Sequence, residues 1–210
     1  MLSIKKPLAL FSVATLSVCL LESAALQPAA SSVAEVAPSP KAAAFEVDLV
    51  HSSVMFRVKH ANVSYAYGRF NEFSGDIQWS PEKLEDTSVS FEVKADSVDS
   101  NHEGRDEHLC GPDFFSCKEF PTWSFQSKKV EAVAENRYAV TGELTMRGEK
   151  KALRFEMDMT GEGESRGTQK IGFEAIFTIK RSEYGMDYGL KGIGDDVRVI
   201  MSIEANGVKG

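Results

Sequence analysis

The chain has 210 residues, of which 42% are hydrophobic and 26% charged, and a formal net charge of −7. That balance excludes a wholly disordered or collagen-like chain, and an acidic surface is a poor match to nucleic acid or to anionic lipid. Three cysteines are too few for a disulfide-stapled miniprotein.

The N-terminus has the composition of a leader. Lys5 and Lys6 precede an apolar run from Leu8 to Leu21, and Ser23-Ala24-Ala25 offers a small-x-small cleavage site. We expect residues 1–25 to be a secretory signal peptide; an uncleaved anchor is the alternative. The run is short for a membrane span. Cys19 follows Val18, where lipidation of the thiol wants Gly, Ala or Ser. Residues 26–44 read as an Ala/Pro/Ser-rich linker with nothing periodic to bury, and the folded domain as 45–210. All 16 glycines and twelve of the 13 phenylalanines lie in that domain.

Period-two alternation dominates the domain. Val54, Phe56 and Val58 alternate with Met55, Arg57 and Lys59; Val89, Phe91 and Val93, and then Leu153, Phe155, Met157 and Met159, alternate with polar residues. The spacing predicts eight strands at 52–60, 67–79, 87–95, 122–131, 137–147, 151–160, 170–180 and 196–205. Phe70 and Phe73 break the parity before Ile77 and Trp79, so a bulge is expected near Asn71. Turn residues at Ser80-Pro81-Glu82, Glu135-Asn136, Arg147-Gly148 and Gly161-Glu162-Gly163 predict hairpins. The segment 96–121 is too long for one. Asp99 or Ser100 is placed to cap a short helix there, ending near Leu109. Residues 185–194 form a second long loop.

Eight antiparallel strands with one apolar face each predict an all-β, up-and-down, lipocalin-like barrel with a helix/loop insertion between strands 3 and 4. A Greek-key sandwich is the alternative. Phe56, Phe70, Phe73, Phe91, Phe125, Phe155, Met157, Phe173, Phe177 and Met201 are assigned to the inside. Phe and Met suit a flexible apolar ligand, although the same pattern also lines ordinary cores. The outer face offers no obvious partner patch.

His51-Ser52-Ser53-Val54-Met55-Phe56-Arg57-Val58-Lys59-His60 resembles the opening strand of the YceI-like domain, a family of polyisoprenoid-binding, lipocalin-like barrels. Val63-Ser64, then Gly68-Arg69-Phe70 and Phe73-Ser74-Gly75, resemble its second block. Ser97-Val98-Asp99-Ser100, Arg105-Asp106-Glu107-His108-Leu109 and Asp113-Phe114-Phe115 are the most specific piece. Phe120-Pro121, Gly142-Glu143-Leu144-Thr145, Arg147-Gly148 and Arg181-Ser182-Glu183-Tyr184-Gly185-Met186 continue it in order. The resemblance implies a barrel enclosing an isoprenoid lipid, such as a quinone or a polyprenyl phosphate, in the periplasm or outside the cell. Val58, Phe114, Phe115 and Met146 complete the expected ligand-contact set. Arg105 and His108 are candidates to meet a polar head group at the mouth, against a loop-fixing ion pair as the plain alternative.

Cys110 and Cys117 stand where family members usually carry polar residues. In an oxidising compartment a disulfide is the leading reading, with free thiols next. A metal site using His102, His108 and both cysteines matches no standard zinc spacing. No cofactor is expected. No nucleophile elbow, phosphate-binding loop or zinc-protease motif occurs, and His51 and His60 stand at opposite ends of one strand. The resemblance therefore implies a lipid-binding protein, with transient membrane contact left open. Its oligomeric state is left open, a dimer included. An enzyme acting on a lipid-like substrate, or a filled barrel serving as a stress or interaction module, are the alternatives.

Overall fold

The structure, a computed structural model, describes residues 42–208. The expectations for the signal peptide, for Cys19 and for the linker up to residue 41 lie outside the described residues. The ordered strands are β1 (Ala43–Val47), β2 (Ser53–His60), β3 (Ser64–Phe70), β4 (Phe73–Trp79), β5 (Ser88–Lys94), β6 (Val98–Asp99), β7 (Thr122–Ala134), β8 (Arg137–Met146), β9 (Glu149–Ser165), β10 (Thr168–Lys180) and β11 (Ile193–Gly207). One helix, α1 (Glu103–Leu109), lies between β6 and β7.

These segments build eight staves. β1 and β2 both run antiparallel to β11, one beyond the other, and so form a single stave interrupted at 48–52. β3 and β4 form the next stave, pairing with β2 and β1 respectively. β5 and β6 form the third, pairing with β4 and β3. β7, β8, β9 and β10 follow in order, and β11 closes the ring onto the first stave. Every neighbouring pair is antiparallel, so this is a closed eight-stranded up-and-down barrel. Closure leaves few edges exposed.

Alternation fixes which residues face in. Val54, Phe56 and Phe70 are buried while Met55 and Arg69 between them are exposed. Phe73, Ile77 and Trp79 are buried as well. The expected bulge near Asn71 is instead a full break between β3 and β4. The same interruption crosses the two adjacent staves, at 48–52 and at 95–97. Asn71 N–H donates to Ser97 O at 3.0 Å, and Lys94 N–H donates to Glu72 O at 2.9 Å, so the broken staves are laced together along that line. Because the break resets the parity, Phe70 and Phe73 can both point inward.

Several boundaries differ from the sequence reading; β3 begins at Ser64, β7 runs to Ala134 and β11 spans Ile193–Gly207. The barrel begins at Ala43, two residues earlier, because Ala43 and Ala44 pair with Trp79 and Gln78. β9 continues through Gly161-Glu162-Gly163 to Ser165, and the hairpin turns at Arg166-Gly167, both in the left-handed region. A glycine at positive φ suits such a turn better than the earlier pair. Helix α1 is capped by His102, whose Nδ1 accepts from Arg105 N–H at 3.2 Å. Asp99 is held in β6, and Ser100 instead binds Asp106.

Candidate functional site

Inward-facing aromatic rings lie flat on the barrel wall because glycines face them. Phe91 stands directly opposite Gly75, and a Cβ on Gly75 would come within 2.7 Å of its ring. A Cβ on Gly142 would meet the Phe125 ring at 2.5 Å. Phe125, Phe155 and Phe177 then continue ring on ring along the wall, with centroids 5.4 and 4.8 Å apart. The space they vacate is an apolar interior in two chambers.

The inner chamber, about 110 Å³, is lined by Phe91, Phe125, Phe155, Met157, Phe173, Phe177 and Met201, among others. Past it, Trp79 meets Tyr138 and Phe173 edge-on at 4.9 and 5.1 Å and plugs that end. The outer chamber, about 220 Å³, lies beneath α1 and is lined by Phe56, Val58, Phe70, Phe114, Phe115, Arg105 and His108, with further residues. Val54, Trp123, Met146, Ile179 and Val199 line both chambers and form the waist between them. Met146 is 2% exposed, among the most deeply buried large side chains. Together the chambers reach the lower end of the roughly 300–1,000 Å³ of small-ligand sites.

Among the described residues no carboxylate lines either chamber. The polar groups gather at the lid end. Arg105 donates through Nε to Ser100 Oγ at 2.7 Å and through Nη2 to Ser100 O at 2.5 Å. His108 Nε2 lies 3.0 Å from Asp113 Oδ2, and its ring contacts Phe114 and Tyr188 edge-on. Arg181, 2% exposed, also lines the outer chamber. It donates to the carbonyls of Gly194 (2.8 Å), Ile193 (2.9 Å) and Met186. Burial pushes its guanidinium below the ordinary value, with Asp195 and Asp187 opposing that effect. Tyr184, beside it in sequence, is pushed up to about 12 by burial, with Glu183 adding to the shift.

Cys110 and Cys117 are joined by a disulfide, with Cα atoms 4.9 Å apart. It clamps the loop that carries Phe114 and Phe115 over the outer chamber. Both thiols are consumed, so neither is a metal ligand. Elsewhere, Asp48, His51 and Glu204 bring ligand-type atoms within 4.8 Å of one another. The Lys170 ammonium already occupies that group, 2.5 Å from Glu204 and 3.8 Å from Asp48. His51 is thus a loop partner of Asp48, far from His60, which lines the outer chamber.

Of the residues expected to contact a ligand, Phe73 alone lines neither chamber; it is buried behind Phe91, stacked at 5.6 Å. Its inward parity was legible, but its depth behind a neighbour was not. Trp123 at the waist and Arg181 at the lid are the notable additions. A polar, loop-flanked Arg181 carries no burial signal in sequence, whereas Trp123 falls within a strand whose parity could have placed it.

Comparison with known proteins agrees with this architecture. The model of the YceI-like domain matches residues 45–205. A UPF0312 protein of Yersinia pestis is 34% identical over 176 residues, covering 82% of this chain and 91% of its own length. A UPF0312 protein of Pseudomonas putida is 34% identical over 161 residues, covering 76% and 82%. Among solved structures, Burkholderia cenocepacia BcnA superposes with a TM-score of 0.69 at 25% identity, covering 75% of this chain and 98% of its own. The Campylobacter jejuni YCEI protein gives 0.66 at 30% identity, covering 72% and 90%. A polyisoprenoid binding domain from Saccharophagus degradans shares the fold, with a TM-score of 0.62 at 15% identity over 80% of this chain and all of its own. With the family pattern matched from the first long stave to the last, this chain belongs to the YceI-like domain family.

Proposed function

We propose that this protein binds a long-chain isoprenoid lipid inside the barrel, tail inward and head at the lid. The observation that carries the reading is the polarity gradient of the interior. The inner chamber is lined almost wholly by aliphatic, aromatic and thioether groups, while Ser100, Arg105, His108 and Arg181 gather at the outer one. A fold relative from Saccharophagus degradans is described as a polyisoprenoid binding domain, which supports the same ligand class.

The mechanism is partition. Each CH₂ that leaves water contributes about 0.8 kcal/mol, against the ordering of the tail. Thioethers at Met146, Met157 and Met201 adapt to an irregular chain. The lid-end cations and hydroxyl suit a phosphate or a quinone oxygen. Carriage, storage or protection of such a lipid in the cell envelope follows from that chemistry. It goes with a mature protein in the periplasm or outside the cell, touching the membrane to exchange its load. The lack of a carboxylate in either chamber, among the described residues, favours binding over acid–base catalysis, and two open chambers favour it over a filled barrel.

Native mass spectrometry of the mature domain, followed by solvent extraction, tests the reading. We expect a mass excess that extracts as a prenyl lipid. Delipidated protein that takes up neither prenyl quinones nor polyprenyl phosphates of any length would sink it.

A further inference from the structure

The outer wall made by β3, β2 and β11 carries three cations, Arg57, Lys59 and Arg198, beside two acids at the start of β11, Asp195 held by Ser182 and Asp196 held by Lys180. Arg57 on β2 stands directly opposite Arg198 on β11, and like charges so placed cost stability. The Arg57 guanidinium lies 4.0 Å over the Tyr65 ring, and the Lys59 ammonium lies 4.7 Å from the same ring. Among the described residues, none of these three cations forms an ion pair, and Arg57 Nε is buried without a hydrogen-bond partner. Other cations at or beside this wall do have partners, Arg69 on β3 with Asp99 and Lys180 with Asp196 of β11. On a chain of net charge −7, this grouping of cations is a local exception.

The strip ends at two turns that expose apolar side chains. Val63, after β2, is 82% exposed, and Leu190, before β11, is 43% exposed. The turns are tied together: Ala61 N–H donates to Gly192 O at 2.6 Å, and Asn62 Nδ2 to Lys191 O at 3.2 Å. Lys191 adds a cation there, and Asp187 is the only acid between residues 185 and 192. His60 at the end of β2 and Tyr67, the partner of Arg57 on β3, line the outer chamber. The strip therefore borders the lid end of the cavity.

We infer that this wall docks the barrel on an anionic membrane surface, with the Val63 and Leu190 turns entering the interface beside the cavity mouth. The inference rests on the lipid-binding reading above and adds to it the surface through which the ligand is exchanged. Arg57, Arg198, Lys59 and Lys191 supply attraction to lipid phosphates. Tyr65 and the two apolar turns supply groups suited to the headgroup boundary. Glu103 and Glu107, exposed on α1, repel the same surface and turn the lid helix away from it.

Co-sedimentation with vesicles of equal parts phosphatidylcholine and phosphatidylglycerol tests this, alongside vesicles of phosphatidylcholine alone. The wild-type domain should bind the anionic vesicles, less so as salt is raised. R57Q/R198Q should weaken binding, each lost cation by about fivefold, and V63S should weaken it further. Because the substitutions relieve like-charge repulsion, the double variant should melt no lower than the wild type. Unchanged binding by a folded R57Q/R198Q would overturn the proposal. So would a wild-type dimer that this variant splits, since the strip would then be a contact between two copies. Native mass spectra of the same samples separate the two readings. Vesicle binding without prenyl-lipid uptake keeps the docking surface and removes the lipid-carrier function, whereas uptake without vesicle binding does the reverse.

Discussion

Phe56 lies over Gly68, its direct partner across the β2–β3 ladder, so closely that a Cβ at Gly68 would stand 2.3 Å from the Phe56 ring. Phe91 over Gly75 repeats the arrangement, and Phe125 reaches diagonally over Gly142, which pairs with Ser127. Glycine is a weak strand residue, yet here each one leaves room for a ring to lie along the wall and not across the lumen. The barrel holds chambers and not a solid core because of these pairs.

Gly68→Ala should therefore push the Phe56 ring off the wall into the outer chamber. Overpacking of this kind costs about 1–3 kcal/mol. Thermal unfolding should show that loss, and titration with a prenyl quinone should show a larger loss of uptake than the loss of fold explains.

Met146 at the waist should set how far a tail reaches. Met146→Ala opens the passage between chambers and should shift preference toward longer prenyl tails, at a stability cost of about 2–5 kcal/mol. Met146→Phe should confine binding to short tails. Competition among prenyl alcohols of graded length, read by native mass spectrometry, measures both shifts.

Asp48 should make the fold acid-sensitive. A hydrogen bond from the His51 side chain holds its carboxyl well below the ordinary range; burial opposes this, while the Asn206 amide and the Val50 and His51 N–H groups reinforce it. A group so depressed in the folded state stabilises it above the unfolded value of about 4 and loses that effect as pH falls toward the lowered value. Asp48→Asn should be less stable than the wild type near neutral pH. The gap should narrow progressively below about pH 4 in acid-unfolding curves.

The Cys110–Cys117 bond should hold the lid down. Opening so short a loop costs about 2–3 kcal/mol of unfolding free energy. A Cys110→Ser/Cys117→Ser variant should melt lower and release a bound prenyl lipid faster, because Phe114 and Phe115 are freed with the loop. A stopped-flow exchange assay against empty acceptor protein reads the release rate directly.

The staves and their facing were legible because alternation is a local signal, as at Val54-Met55-Phe56. β1 was not, because Ala43 and Ala44 look like linker until Trp79 and Gln78 supply partners from another stave. The turn at Arg166-Gly167 was hidden by two glycines at Gly161 and Gly163, which β9 absorbs in an exposed stretch where nothing lies within 4 Å of either. The apolar lining was readable from Phe and Met parity, but the glycines opposite Phe56 and Phe91 are cross-strand relations with no sequence spacing of their own. The cationic wall escaped notice for the same reason. Net charge is a sum over the chain, whereas Arg57 and Arg198 become neighbours only when the last stave reaches the first.

That last stave also governs how the barrel forms. Phe45 pairs with Gly207, and Val208 N–H donates to Ala44 O at 2.9 Å. Ring closure thus joins the two ends of the barrel, the most non-local strand pairing among the described residues. Local hairpins such as β8–β9 can assemble early, but the seam must wait for the final residues, and high contact order slows the search. Until then the half-built sheet exposes two raw edges and its apolar lining at once. A tail-shaped lipid, or a chaperone that shields such a surface, would have its greatest effect in that interval.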